Sequence, residues 1–152
     1  IDCAWYGSKS SFGGVIMTSY TGQCLCGDIG YQISGSPAMA GVCHCKNCQR
    51  QAGSAFSTLW GVPKANISFQ GETPKLYLDP DTASGGEVER HFCGRCGSPI
   101  YSVVPGQAEM LFLKTGTLDQ TDDFAPQFHA WCDSKQSWIE LDPKVPQMGT
   151  QG

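Results

Sequence analysis

Between Ile29 and Cys132 the apolar residues recur mostly at every second position. Ile29, Tyr31 and Ile33 alternate with polar or small residues, and so do Phe56, Thr58 and Trp60, then Ile67 and Phe69, then Leu76 and Leu78. Val88, Arg90 and Phe92 lead into a Cys-x-x-Cys pair, and Phe128, Ala130 and Cys132 form a late alternating set. Met110 to Leu113 is instead continuously apolar. A period of two marks half-buried strands, and a short unbroken apolar run marks a strand buried on both faces. Turn signals separate these segments: Gly35-Ser36-Pro37, Gly71, Asp79-Pro80-Asp81, Ser84-Gly85-Gly86, Pro105-Gly106 and Gly116. Only Cys45 to Ala52 has helical character, about two turns, with Gly53 as its stop. The pattern predicts a mainly β fold with one short helix.

Composition narrows this further. At 152 residues, with 40% hydrophobic and 11% aromatic residues, the chain can fill one core. We read residues 17–143 as that domain. Residues 1–16 lack an initiator methionine, a basic stretch and a long apolar stretch, so they read as a non-native or disordered tail rather than a signal peptide. Met17 reads like a natural start, and residues 144–152 read as a flexible C-terminal tail. The net charge of −4 and the absence of any Lys/Arg run disfavour nucleic acid as a partner. No apolar run approaches the roughly 18 residues of a membrane span. The expected location is cytoplasmic, where thiols stay reduced and closely spaced cysteines bind metal rather than pair.

Three cysteine groups carry the chemistry. In Cys24-Leu25-Cys26 the two thiols share one face of an extended backbone. In Cys93-Gly94-Arg95-Cys96-Gly97 they converge over a tight turn that the glycines permit. These four thiolates can close a tetrahedral, structural Zn²⁺ site. The third group, Cys43-His44-Cys45-Lys46-Asn47-Cys48, offers three thiolates, which would leave the fourth position of a Zn²⁺ open, the mark of a catalytic site. Spacing alone leaves open whether Cys24 and Cys26 share a metal with Cys93 and Cys96 or with this middle group. His44 points away from Cys43 and Cys45 in an extended stretch, which favours a supporting or packing role over ligation, and His91 reads likewise. Cys132 reads as a small buried hydrophobe, and Cys3 falls in the tail.

The segments GQCLCGDIGY, CHCKNCQRQAGSAF, RHFCGRCGSPIY, GTLD and PQFHAWCDSKQSW together resemble the glutathione-dependent formaldehyde-activating enzyme family, which also has a centromere-associated branch. The resemblance runs from about Thr18 to Leu141. It implies a Mss4-like fold of several coiled antiparallel β-sheets clamped by zinc. It further implies a structural zinc on Cys24, Cys26, Cys93 and Cys96, a catalytic zinc on Cys43, Cys45 and Cys48, and formation of S-(hydroxymethyl)glutathione from glutathione and formaldehyde, a carbon–sulfur lyase-type activity. Shared zinc motifs do not fix the substrate.

A three-thiolate zinc favours capture and alignment of a substrate thiol over strong activation of a carbonyl, because the thiolates already donate charge to the metal. Lys46 and Arg50 are the first candidates to bind carboxylates of a glutathione-like substrate, with Arg95 behind them. Gly53 and Ser54 permit close ligand approach. Phe56 and Trp60 read as core more readily than as cleft, and Trp131 and Trp138 as core. Two rival readings remain: a non-catalytic zinc module that binds a protein, favoured if His44 closed the third cluster, and a methionine sulfoxide reductase-like enzyme with Cys132 as nucleophile.

Overall fold

A computed structural model describes residues 18–150. The expected tail at residues 1–16 and Cys3 lie outside the described residues. Ten strands form two sheets: β1 (Ser19–Gln23), β2 (Ile29–Ser34) and β5 (Ile67–Gly71) in a small one, and β3 (Met39–Cys43), β4 (Ser57–Pro63), β6 (Lys75–Asp79), β7 (Val88–Phe92), β8 (Pro99–Val103), β9 (Met110–Lys114) and β10 (Phe128–Ala130) in a large one. The large sheet is open and runs in the order β10-β3-β4-β9-β8-β7-β6. All its pairs are antiparallel except β10 with β3, a departure from the all-antiparallel expectation. The single α-helix among the described residues, α1 (Lys46–Ala52), is capped by Cys45 and ended by Gly53 at φ 59°. That left-handed conformation suits glycine because it has no Cβ to clash.

The strands β1, β3 and β8 lack the alternation, or in β9 the unbroken apolar run, that marks the others. β1 (SYTGQ) is mostly polar and exposed, and β3 (MAGVC) is small and buried on both faces, so neither shows a period of two. The Leu76–Leu78 set does form a strand, but at the sheet edge, where Leu76, Tyr77 and Leu78 stay exposed. Trp138 is 71% exposed rather than core, and Trp131 is only half-buried. Residues 145–149, expected to fray, lie along β10: His129 N donates to Pro146 O and Met148 N to His129 O.

Register explains where the two faces of the large sheet go. Residues directly opposite across strands share a face, and alternate residues share it along a strand. One face carries Ala40, Trp60, Val62 and Leu113, which pack with Ile29, Tyr31 and Ile33 of the small sheet into the main core. Trp60 is edge-on to Tyr20, with ring centroids 4.8 Å apart. The other face carries Gly41 and Cys43 on β3, Leu59 on β4, Phe112 and Lys114 on β9, Ser102 on β8 and Arg90 on β7. Those residues line a cavity.

Candidate functional site

The structure brings Cys24, Cys26, Cys93 and Cys96 together at one end of the core, all four sulfurs lying within 4.8 Å of one another. Cys24 Sγ is 3.5 Å from Cys26 Sγ, and Cys26 Sγ is 3.7 Å from Cys93 Sγ. A disulfide would need about 2.05 Å. A tetrahedral zinc with bonds of about 2.3 Å sets its sulfurs about 3.8 Å apart, so the spacing fits a metal. Donors surround the sulfurs: Ile29 N points to Cys24 Sγ at 3.3 Å and Ser98 Oγ lies 3.2 Å from Cys96 Sγ. The Ser98 hydroxyl and amide hold the Cys96 thiol down at about 5, favouring the thiolate that a metal takes. The cluster joins the turn before β2 to the turn before β8, two stretches far apart in sequence. Arg95, between the knuckle cysteines, is exposed and paired with Asp28 at 2.9 Å, away from the cavity.

The second cluster holds Cys43, Cys45 and Cys48, again within 4.8 Å of one another, and among the described residues no fourth His, Cys, Asp or Glu joins them. Cys43 ends β3, Cys45 caps α1, and Cys48 comes round on its first turn, donating its N–H to Cys45 Sγ at 3.3 Å. His44 is fully buried and turned the other way: its Nε2 meets His129 Nδ1 at 3.1 Å, and its ring packs edge-on to Phe56. It does not close the site. Gln49 pins the same corner, donating from Nε2 to His44 O at 2.7 Å and to Ser134 O at 3.0 Å.

All three cysteines of this second cluster line a cavity of about 340 Å³. Its floor is the large-sheet face described above, with Trp131, Met148 and the 82–84 loop at its rim. The cavity is mostly apolar, and its lining includes two cations that the sequence did not mark. Lys114, 5% exposed, donates to Ser57 Oγ at 3.3 Å, and Ser57 sits opposite Cys43 in the β3–β4 register. Arg90, 6% exposed, is held by Asp79 through Nε at 2.8 Å and Nη2 at 2.7 Å. Asn47 Nδ2 also donates to both Asp79 oxygens and to Asp81 O, tying α1 to the loop beyond β6.

The charges interlock. Hydrogen bonds from Cys43 and Cys45 hold the Cys48 thiol down at about 2, and the charges of Lys114 and Arg90 add to them against the opposing effect of burial. Burial pushes the Lys114 ammonium down, while the Cys48 thiolate draws it part of the way back. The cue for both cations was present in the sequence but ambiguous. Arg90 stands at a core-facing position of an alternating strand, and Lys114 ends an apolar run; either reads as a strand terminus or a surface charge.

The four expected substrate contacts, Lys46, Arg50, Gly53 and Ser54, are not among the residues that line this cavity. Lys46, Gly53 and Ser54 are exposed and outside the cavity lining; Arg50 is exposed on a second groove that adjoins the cavity, because Asn47 and Arg90 line both. Phe56 and Trp60 do not line the cavity; Trp131 does. His91 bonds Glu89 at 2.8 Å and stacks on Tyr101, clear of both clusters. Cys132 lies outside the cavity lining, and burial pushes its thiol up, the opposite of an activated nucleophile.

Comparison with known proteins places this geometry. A relative from Halomonas elongata is 26% identical over 130 residues, 81% of each chain, and one from Fusarium vanettenii is 25% identical over 74% of this chain and 60% of its own. A relative from Aspergillus flavus is 31% identical over 51% of this chain and 40% of its own. All three are described as proposed glutathione-dependent formaldehyde-activating enzymes. The chain thus spans less than two thirds of the two fungal relatives, 60% of one and 40% of the other. A Rhodobacter sphaeroides protein of known crystal structure shares the fold, with a TM-score of 0.53 and 18% identity over 68% of this chain and 91% of its own. The family profile for the glutathione-dependent formaldehyde-activating enzyme matches residues 19–134. That match takes in both cysteine clusters and most of the chain, which therefore belongs to the glutathione-dependent formaldehyde-activating enzyme family.

Proposed function

We propose that this chain adds a thiol to the carbonyl carbon of an aldehyde at the Cys43, Cys45 and Cys48 centre. Glutathione and formaldehyde, the compounds in the family description, are the first pair to test. The reaction is of the carbon–sulfur lyase type, run toward S-(hydroxymethyl)glutathione. One observation carries the reading: the cluster with three thiolates opens onto the cavity, while the cluster with four lies outside its lining.

We assign Zn²⁺ to both clusters from the all-sulfur donor set and the sulfur spacing. Bound at the three-cysteine centre, it would keep a fourth sulfur ligand as thiolate at neutral pH. The chain's own residues do the rest. The cap geometry at Cys45 fixes the three sulfurs in one orientation. Leu59, Phe112, Phe128 and Trp131 form walls that keep bulk water from the reacting pair. Lys114 and Arg90 offset the negative charge of the thiolates in a low-dielectric setting, where each charge counts for more. Holding thiol and carbonyl side by side supplies much of the rate gain. A reducing compartment such as the cytoplasm suits a centre built on thiolates.

The test is zinc stoichiometry by elemental analysis on wild type and Cys48→Ser, with glutathione titrated into both by calorimetry. Two zincs in wild type, one in the variant, and glutathione binding to wild type alone support the reading. One zinc throughout, or binding indifferent to Cys48, sinks it.

A further inference from the structure

The cavity floor holds more hydrogen-bond donors than the thiolate centre accounts for. Arg90 and Ser102 are cross-strand partners on β7 and β8, and Ser102 is in turn opposite Phe112 on β9, two residues from Lys114. All three polar side chains therefore rise from one sheet face into the cavity. Directly opposite side chains lie about 5 Å apart at Cβ and diagonal ones about 7–8 Å, within reach of Arg and Lys. Ser102 is 3% exposed, and its Oγ has no hydrogen-bond partner. Lys114 has one partner, a neutral hydroxyl, and no carboxylate. Arg90 spends Nε and Nη2 on Asp79, and its guanidinium also faces the Cys48 thiolate at the edge of the sulfur centre. A buried, unpaired hydroxyl is costly unless a ligand completes it, and Lys114, whose counter-charge is the neighbouring thiolates, keeps donors beyond its one hydrogen bond to Ser57.

We propose that Arg90, Ser102 and Lys114 form a carboxylate subsite, and that the carbonyl substrate of this chain is a small oxo acid in preference to a neutral aldehyde. The proposal rests on the thiol–carbonyl reading above and names the class of carbonyl compound. A neutral aldehyde offers these donors a single uncharged carbonyl oxygen, whereas a carboxylate offers two charged ones. Distance favours the carbonyl compound over the thiol as the source of the carboxylate. Lys114 Nζ is hydrogen-bonded to Ser57, whose cross-strand partner is the sulfur ligand Cys43. The subsite thus begins one residue pair from the sulfur centre. A 2-oxo acid such as glyoxylate carries its carboxylate one bond from the reacting carbon, whereas the nearer carboxylate of glutathione is six bonds from its sulfur. The chemistry balances without an external oxidant or reductant. The thiolate sulfur forms a bond to the carbonyl carbon, the C=O π pair moves to oxygen, and that oxygen takes the proton the thiol gave up, yielding a hemithioacetal acid.

The experiment uses the zinc-loaded chain and follows hemithioacetal formation with glutathione by NMR exchange, with glyoxylate and formaldehyde as paired probes. Wild type, Ser102→Ala and Lys114→Met are compared, together with glyoxylate binding by calorimetry in the absence of thiol. Ser102→Ala breaks no hydrogen bond in the fold, so an unchanged melting temperature keeps the test valid even where Lys114→Met fails to fold. Expected are a preference for glyoxylate in wild type, a loss of glyoxylate affinity of about threefold to tenfold in Ser102→Ala with formaldehyde affinity unmoved, and a glyoxylate loss of more than about tenfold in Lys114→Met. Equal use of both carbonyls by wild type overturns the proposal. So does a Lys114→Met defect that appears with glutathione and vanishes with its diethyl ester, which would give the subsite to the thiol. No turnover with either carbonyl, alongside glyoxylate binding that Ser102→Ala weakens, would leave the subsite standing and fail the thiol–carbonyl reading instead. Absence of glyoxylate binding in calorimetry fails the subsite itself.

Discussion

His44 and His129 meet ring to ring behind the three-cysteine centre, Nε2 to Nδ1 at 3.1 Å, with both side chains buried. The contact joins the turn between β3 and α1 to β10, the one strand pair of the large sheet that runs parallel. Burial holds both imidazoles below their ordinary value of 6.5. As pH falls below 6.5 the unfolded chain takes up protons that the folded chain refuses, so folded stability drops over that window and is kept above it. Melting temperatures measured from pH 7.5 to 5 will therefore fall more steeply for wild type than for His129→Phe, which removes one of the two titrating groups. Equal slopes would assign the acid sensitivity to the thiolates alone.

The Arg90–Asp79 pair is a buried charge pair, and the loss of one member leaves the other uncompensated. Asp79→Ala is expected to destabilise the fold by about 3–5 kcal/mol in urea unfolding. Burial raises the Asp79 carboxyl, but the hydrogen bonds from Asn47 and Arg90 outweigh it and hold it below 3.8. Its contribution is thus complete above about pH 4 and is lost as pH falls through the lower folded value. Asn47→Ala should cost less, because Arg90 still satisfies the carboxylate.

The two cysteine clusters should differ in what they hold together. Cys24→Ser loosens a clamp between the turn before β2 and the knuckle before β8, so it should lower the melting temperature sharply and release one metal. Cys45→Ser should release the other metal from a fold that remains close to wild type by circular dichroism, since β3 and α1 are also fixed by their own hydrogen bonds. A Cys45→Ser chain that unfolds as readily as Cys24→Ser would make the second cluster structural too.

Trp131 holds the left-handed conformation at φ 59°, the one non-glycine residue among those described to do so, and its side chain forms part of the cavity rim. That backbone state costs a non-glycine residue about 1–2 kcal/mol. Trp131→Gly relieves the strain while removing the wall, so its melting temperature should stay near wild type or rise, while thiol affinity falls severalfold. A large loss of stability would make Trp131 a packing residue rather than a cavity wall.

The local chain dictated a good deal of this protein. Alternation at Ile29–Ile33, Trp60, Phe69 and Val88–Phe92 gave strands because a half-buried sheet imposes a period of two. Cys45 and Gly53 bounded the helix because cap geometry is local. Short cysteine spacings made thiolate clusters legible because two sulfurs within four residues need only a turn to converge. The tertiary structure decided the rest. The partition of seven sulfurs into four and three depends on which distant turns meet. Buried polar groups were invisible for the same reason: Lys114 and Arg90 face a cavity only because the registers of β4, β7, β8 and β9 put them on one face of the large sheet. Ser102 shares that face, and no sequence period marks an unpaired hydroxyl. Lys46 and Arg50 lie close to the cysteines in sequence, yet the helix turns their side chains to solvent. Proximity along a chain fixes a distance, and only packing fixes a direction.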